Sequence, residues 1–166
     1  MTLGPRAESE REFEALIGPL VEPGFRLAFS MLGNRDEAED ATQEAITRAW
    51  RKLGQLRDRG QARPWFLTIV ANQCRNARRT HWFSTIRVPF LLQPAEPVEA
   101  SQERLDMQRA LARLPMADRQ ILFMHYYLDL PIEEIAVALD ISPAATKGRI
   151  YRAARRMRPD LLEEDI

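Results

Sequence analysis

The chain has 166 residues, 45 % of them hydrophobic, and its 24 basic and 24 acidic side chains cancel to a formal charge of zero, so it is long enough for one domain or two small ones. Its single cysteine, Cys74, excludes an intrachain disulfide framework and fits a reducing cytoplasm. No apolar run approaches the roughly 20 residues of a bilayer span, and the opening MTLGPRAESERE lacks the apolar core of a signal peptide; the expectation is a cytoplasmic protein with no membrane partner.

Glycine is scarce and apolar residues recur at spacings of three and four, which predicts an all-α protein. Neutrality hides segregation of charge. The first 50 residues carry ten acidic and five basic side chains, residues 51–90 nine basic and one acidic, and residues 142–158 six basic and none acidic. Two basic blocks separated by acidic ones imply two anion-binding surfaces, against the plainer reading of solvated helix faces.

In chain order, the first informative segment is GNRDEAEDATQEAITRAW. Gly33 ends one helix and Asn34 caps the next, with Asp36 and Glu37 in the first turn, where the helix dipole favours negative charge. Ala38, Ala41, Ala45, Ile46 and Ala49 form the buried face, and Asp36, Glu37, Asp40, Gln43, Glu44 and Thr47 the opposite one. An acidic strip repels DNA, so it is expected to meet a protein. The loop LGQLRDRGQARP then presents Arg57, Arg59 and Arg63.

On the following helix, PWFLTIVANQCRNARR, Phe66, Leu67, Ile69, Val70, Cys74 and Ala77 share one face, whereas Trp65, Thr68, Asn72, Arg75, Asn76 and Arg79 share the other. Amides read base edges, aromatics stack and arginines hold phosphate, so this strip suits unpaired bases. Cys74 falls on the apolar side as a core thiol. Pro89, Pro94 and Pro97 forbid a continuous helix across Val88–Ser101. That stretch reads as a linker between an N-terminal domain, 1–87, of about four helices and a C-terminal one, 102–166, of about four shorter helices.

The C-terminal domain ends in a helix-turn-helix. IEEIAVALD forms a short helix, Asp140 occupies the turn, and a second helix runs from Pro143 to about Met157 with Ser142 as N-cap. At 100° per residue, Thr146, Ile150, Ala153, Ala154 and Met157 fall on one side; Lys147, Arg149, Tyr151, Arg152, Arg155, Arg156 and Arg158 occupy the rest. An apolar anchor with a basic outer face is what a helix entering the major groove requires. His81 and His125 are isolated, no carboxylate pair stands beside the basic strips to hold a catalytic metal, and no glycine loop cradles phosphate, so no cofactor and no enzymatic activity are expected.

In this order, DEAEDATQEAITRAW, WFLTIVANQCRNARR, a proline-bearing linker, ALARLPMADRQILFMHYYLDLPIEEIAVALDIS and a basic helix resemble the extracytoplasmic-function group of bacterial RNA polymerase sigma factors. The resemblance runs from about Phe13 to Arg158. It implies a transcription initiation subunit whose partners are core RNA polymerase, through its beta-prime clamp and beta flap, promoter DNA and an anti-sigma factor. Asp36, Glu37, Asp40, Gln43 and Glu44 fall on the family's clamp-binding segment. The loop Leu53–Arg63 falls on its base-capturing loop, so Arg57, Arg59, Arg63, Trp65, Asn72, Arg75, Asn76 and Arg79 are the expected contacts to the unpaired −10 element. Ser142, Lys147, Arg149, Tyr151, Arg152, Arg155 and Arg156 are the expected contacts to the −35 duplex. The chain departs from the family at Gly148, which stands where a hydrogen-bonding residue is usual, and at Pro19 and Pro23, which are expected to break the first long helix. A stand-alone helix-turn-helix regulator is the rival reading; it would need neither the acidic face nor the strip for unpaired bases.

Overall fold

Helix α1, Pro5–Ile17, opens the computed structural model, which describes residues 5–82 and 109–157. A 3-10 turn at Gly18–Leu20 separates α1 from α2, Val21–Leu32. The expected break therefore falls at Pro19 alone. Pro23 lies within the first turn of α2, where a backbone N–H has no intrahelical acceptor to lose, so the ring is accommodated there. The span from Arg6 to Leu32 is apolar enough to resemble a membrane segment, but the turn interrupts it, and Ile17, Leu27, Ala28 and Met31 are buried in the protein core.

Gly33 ends α2 in the left-handed region at φ 71°, donating its amide to the Phe29 carbonyl at 2.8 Å. Asn34 then caps α3, Arg35–Lys52, its Oδ1 accepting the Glu37 amide at 3.0 Å. Ala38, Ala41, Ala45 and Ala49 are all buried, and these small side chains let α3 lie against both α2 and α4, Ala62–Trp82. In α4, Phe66, Leu67, Val70 and Cys74 turn inward, with Ile69 and Ala77 half-buried beside them. Gly24 of α2 faces this row so closely that a Cβ there would stand 2.9 Å from the Phe66 ring.

The C-terminal helices begin with a helical stretch at 109–113 and continue in α5, Met116–Leu122. The end of α5 widens into a π turn, Phe123–Tyr127, marked by the Leu128 amide donating to the Phe123 carbonyl at 3.0 Å. Phe123 and Tyr127 stack within it at 4.5 Å. Helix α6, Ile132–Leu139, follows Pro131, and Asp140 stops it in the left-handed conformation at φ 53° and ψ 49°. Ser142 caps α7, Pro143–Met157, its Oγ accepting the Ala145 amide at 3.1 Å. Thr146, Ile150 and Ala153 are buried against α5 and α6, while Ala154 and Met157 are partly so.

The fold is all-helical among the described residues. Its two sets of helices pack on one another, α5 against α2 and α6 against α4, and one apolar core runs through both. The linker expected at 88–101 lies outside the described residues, as do Arg158 and the side chain of His81.

Gly148 sits inside α7, and a Cβ at that position would meet only the Nη1 end of Arg152, at 3.3 Å. An exposed guanidinium can move aside. Gly148→Ala is therefore expected to stabilise the protein by up to about 1 kcal/mol, the helix-propensity gap between the two residues. A thermal melt checks this, and a lower midpoint would mean that the packing of Arg152 over the helix outweighs propensity.

Candidate nucleic-acid interface

Burial of the Thr146, Ile150 and Ala153 stripe dictates which residues of α7 face out. Ser142, Lys147, Arg149, Tyr151, Arg152, Arg155 and Arg156 are all exposed. The Arg155 guanidinium lies 5.8 Å from the centre of the Tyr151 ring, a cation–π distance. Arg156 differs from its neighbours because it forms an ion pair with Asp118 of α5, bracing α7 on the helix behind it. Lys147, Arg149, Tyr151 and Arg152 thus form the outward patch near the N-terminal half of the helix, the half that enters the groove in helix-turn-helix proteins.

The second basic surface is more varied. Asn72, Asn76 and Arg79 are exposed along α4, but Trp65 is half-buried and packs against the core. Arg75 donates to Asn72 Oδ1 at 2.7 Å, which orients the amide and leaves its nitrogen to donate elsewhere. Burial lowers the pKa of Arg75 from its ordinary value. In the preceding loop Arg57 faces solvent, whereas Arg59 is engaged within the protein. Its Nη1 donates to the Leu53 and Leu56 carbonyls at 3.2 and 2.8 Å, and its Nη2 pairs with Glu12 at 2.7 Å. Arg59 therefore shapes the loop and ties it to α1. Asp58 folds the next turn by accepting the Gly60 amide at 2.9 Å. Arg63 reaches out of the N-terminal helices, its Nη2 donating to the Leu128 carbonyl at 2.5 Å.

On α3, Asp36, Asp40, Gln43 and Glu44 are exposed and Glu37 is half-buried. Glu44 pairs with Arg48 at 3.2 Å, and Arg35 pairs with Glu39 at 2.9 Å, both one helical turn apart on the surface. Asp36, Asp40 and Glu44 lie on the solvent side of the helix whose alanines face the core.

Cys74 is fully buried, and desolvation pushes its thiol up to about 12, so it is an inert core residue at neutral pH. His125 is half-buried with its ring edge against Tyr126 at 4.7 Å. Among the described residues no group of three or more His, Cys, Asp and Glu side chains is gathered to hold a metal.

Two family models match this chain, sigma-70 region 2 over residues 18–84 and sigma-70 region 4 over residues 104–157. The RNA polymerase sigma factor SigV of Bacillus subtilis is 30 % identical over 146 residues, 86 % of each chain. The ECF RNA polymerase sigma factor SigL of Mycobacterium tuberculosis is 31 % identical, covering 84 % of this chain and 82 % of its own. Among solved structures, the sigma factor RpoE of Bartonella quintana, in complex with the anti-sigma factor NepR, shares the fold with a TM-score of 0.73, 91 % coverage of this chain and 97 % of its own, at 23 % identity. A stand-alone helix-turn-helix regulator would account for the match over 104–157 but not for region 2. With both regions matched in order and relatives of 30 % identity aligned along most of their length, the chain belongs to the extracytoplasmic-function group of RNA polymerase sigma factors, the subunits that direct promoter-specific initiation.

Proposed function

We propose that this sigma factor divides its task among three surfaces. The outward face of α7 reads the −35 duplex through Lys147, Arg149, Tyr151 and Arg152, with Ser142, Arg155 and Arg156 at its margins. The strip of α4, with Asn72, Arg75, Asn76, Arg79, Trp65 and the loop residues Arg57 and Arg63, holds the unpaired −10 strand, and Arg59 fixes the loop that delivers it. Residues Asp36, Glu37, Asp40, Gln43 and Glu44 dock on the beta-prime clamp of core RNA polymerase, while the C-terminal domain meets the beta flap. We assign the N-terminal domain to 1–87, the linker to 88–101 and the C-terminal domain to 102–166. The protein works in the cytoplasm beside its polymerase, performs no covalent step and is held in check by an anti-sigma factor, as the relative from Bartonella quintana is found bound to one.

The observation that carries this reading is the opposition of charge on outward faces: carboxylates on the solvent side of α3, cations on the solvent side of α7. A polyanion and a protein partner can be engaged at once only if these faces are separate. Arg149 separates base reading from phosphate attraction. Arg149→Ala is expected to relax preference at one or two −35 positions, at a cost of about 1 to 3 kcal/mol for a bidentate base contact. Arg155→Ala should instead weaken binding to all sequences alike and reduce the salt slope by about one. Binding of the two holoenzymes to a randomised −35 library at several salt concentrations distinguishes them. Identical, sequence-independent losses would reduce α7 to an electrostatic clamp.

A further inference from the structure

Arg149, Arg152 and Arg156 recur at intervals of three and four residues along α7, so these cations share one flank of the helix, and all are exposed. Arg149 and Arg152 belong to the outward patch assigned to the −35 duplex. Arg156 is otherwise engaged: its Nη1 donates to Oδ2 of Asp118, in the first turn of α5. Among the described residues it is the one cation of α7 paired with a carboxylate, and α7 itself holds no acidic residue that could neutralise a neighbour. The partners are unequally sheltered, the Asp118 side chain being 16 % exposed and that of Arg156 57 %. The guanidinium therefore lies on the solvent side of the pair, at the end of the basic flank. The helix dipole favours an acid in the first turn of α5, but it does not require that acid to meet α7.

We propose that Asp118 tunes the −35 surface by neutralising Arg156: the pair presents no net charge to DNA, so this flank of α7 attracts phosphate through Arg149 and Arg152 and not through its third cation. This inference rests on the assignment of α7 to duplex DNA. Arg156 stands in the second half of the helix, away from the end that enters the groove, where a cation meets phosphate and not base edges. Occupying it subtracts sequence-independent affinity and leaves base reading by Arg149 untouched.

Two physical points support this role. A protein cation that neutralises a phosphate releases counterions, so each such contact adds both affinity and salt dependence whatever the sequence. A guanidinium already matched by a carboxylate brings no net charge and releases none. The pair is also local to the surface it tunes. Helix α5 packs directly on α7, so Asp118 and Arg156 both belong to the C-terminal helices and their contact needs no residue of α1 to α4. The outcome is a helix whose hold on DNA depends more on sequence, and less on salt, than its basic composition implies.

The test uses holoenzymes carrying the full chain, bound to a randomised −35 library and to a mixed-sequence duplex between about 50 and 200 mM salt. Asp118→Asn keeps the shape of the side chain and an acceptor for Arg156 but removes the charge. It should bind both DNAs about threefold or more tightly at the low end of that range, and lose about threefold more affinity across it than the unaltered holoenzyme, the salt dependence of one added phosphate contact. Preference among −35 sequences should stay the same. Asp118→Glu, which retains the charge, should bind as the unaltered chain does, and so should Asp118→Asn combined with Arg156→Gln, where one neutral pair replaces another. Unchanged or weaker binding by a normally helical Asp118→Asn chain would overturn the proposal, and Asp118→Gln takes its place if the shorter amide lowers helicity. Tightening that persists in full alongside Arg156→Gln would overturn it too, because the carboxylate would then act without Arg156. Arg155→Ala separates this inference from the assignment it rests on. If that variant weakens binding while Asp118→Asn fails to tighten it, the tuning role alone is wrong; if neither changes binding, α7 is not the duplex surface and both fall.

Discussion

Replacing Asp40 and Glu44 together by arginine is expected to weaken binding to core RNA polymerase about a hundredfold or more. Both side chains lie on the exposed face of α3, one turn apart, so the double substitution turns two proposed attractions into two repulsions. Like charges brought together at an interface cost several kcal/mol, and about 1.4 kcal/mol corresponds to each factor of ten. The fold itself should be spared. Glu44 gives up only an exposed pair with Arg48, a type of interaction worth at most about 1 kcal/mol, and the alanines on the opposite face are untouched. Titration of labelled core polymerase with each protein measures the change, with circular dichroism as the control for folding. Unchanged affinity in a normally helical variant would remove α3 from the polymerase interface.

Phe66→Ala should have the largest effect on stability, about 3 to 5 kcal/mol. Phe66 is fully buried, and its ring fills the space that Gly24 leaves open between α2 and α4. A loss of that size approaches the whole stability of a small protein, about 5 to 15 kcal/mol, so the variant should be partly unfolded at modest denaturant. The companion substitution Gly24→Ala pushes a methyl group against the same ring, at 2.9 Å, and against Val70, at 3.3 Å. It should cost about 1 to 3 kcal/mol as overpacking. In the Phe66→Ala background the cost should shrink, because the ring that the methyl group meets is gone. Urea melts of the four proteins measure this coupling, and strict additivity would mean that Gly24 is required for a reason other than its approach to Phe66.

Much of this architecture is written within a few residues of where it appears. The alanine ladder of α3, the Gly33 stop with its Asn34 cap, the left-handed Asp140 and the Ser142 cap each rest on local chemistry, and each lies where the sequence predicts it. The inward stripes of α4 and α7 follow from helical periodicity in the same way. The arginines follow no such rule. Arg59, Arg63 and Arg156 look alike in the sequence, yet one binds loop carbonyls, one a carbonyl 65 residues away and one Asp118. Every residue offers a carbonyl, so composition and spacing carry no signal for which acceptor a long cation finds. The π turn at Phe123–Tyr127 was equally silent, since it adds one residue to a helix without altering its apolar pattern. Trp65 illustrates a smaller gap: its helical position is correct, but contact with the core leaves it half-buried, and Asn72, Asn76 and Arg79 are the more accessible members of the strip.

The division of labour between α7 and α4 is tested most directly by promoter opening with a holoenzyme in which Asn72 and Asn76 are both alanine. Flipping and holding unpaired bases costs a few kcal/mol, which in the proposed assignment these exposed amides help to offset, whereas the proposed −35 contacts lie on α7. Occupancy of duplex promoter should therefore persist while permanganate reactivity of unpaired −10 thymines falls about tenfold or more, the equivalent of one lost base contact of about 1.4 kcal/mol. Parallel loss of occupancy and reactivity in a correctly folded variant would contradict the account, because it would place the α4 strip on duplex DNA.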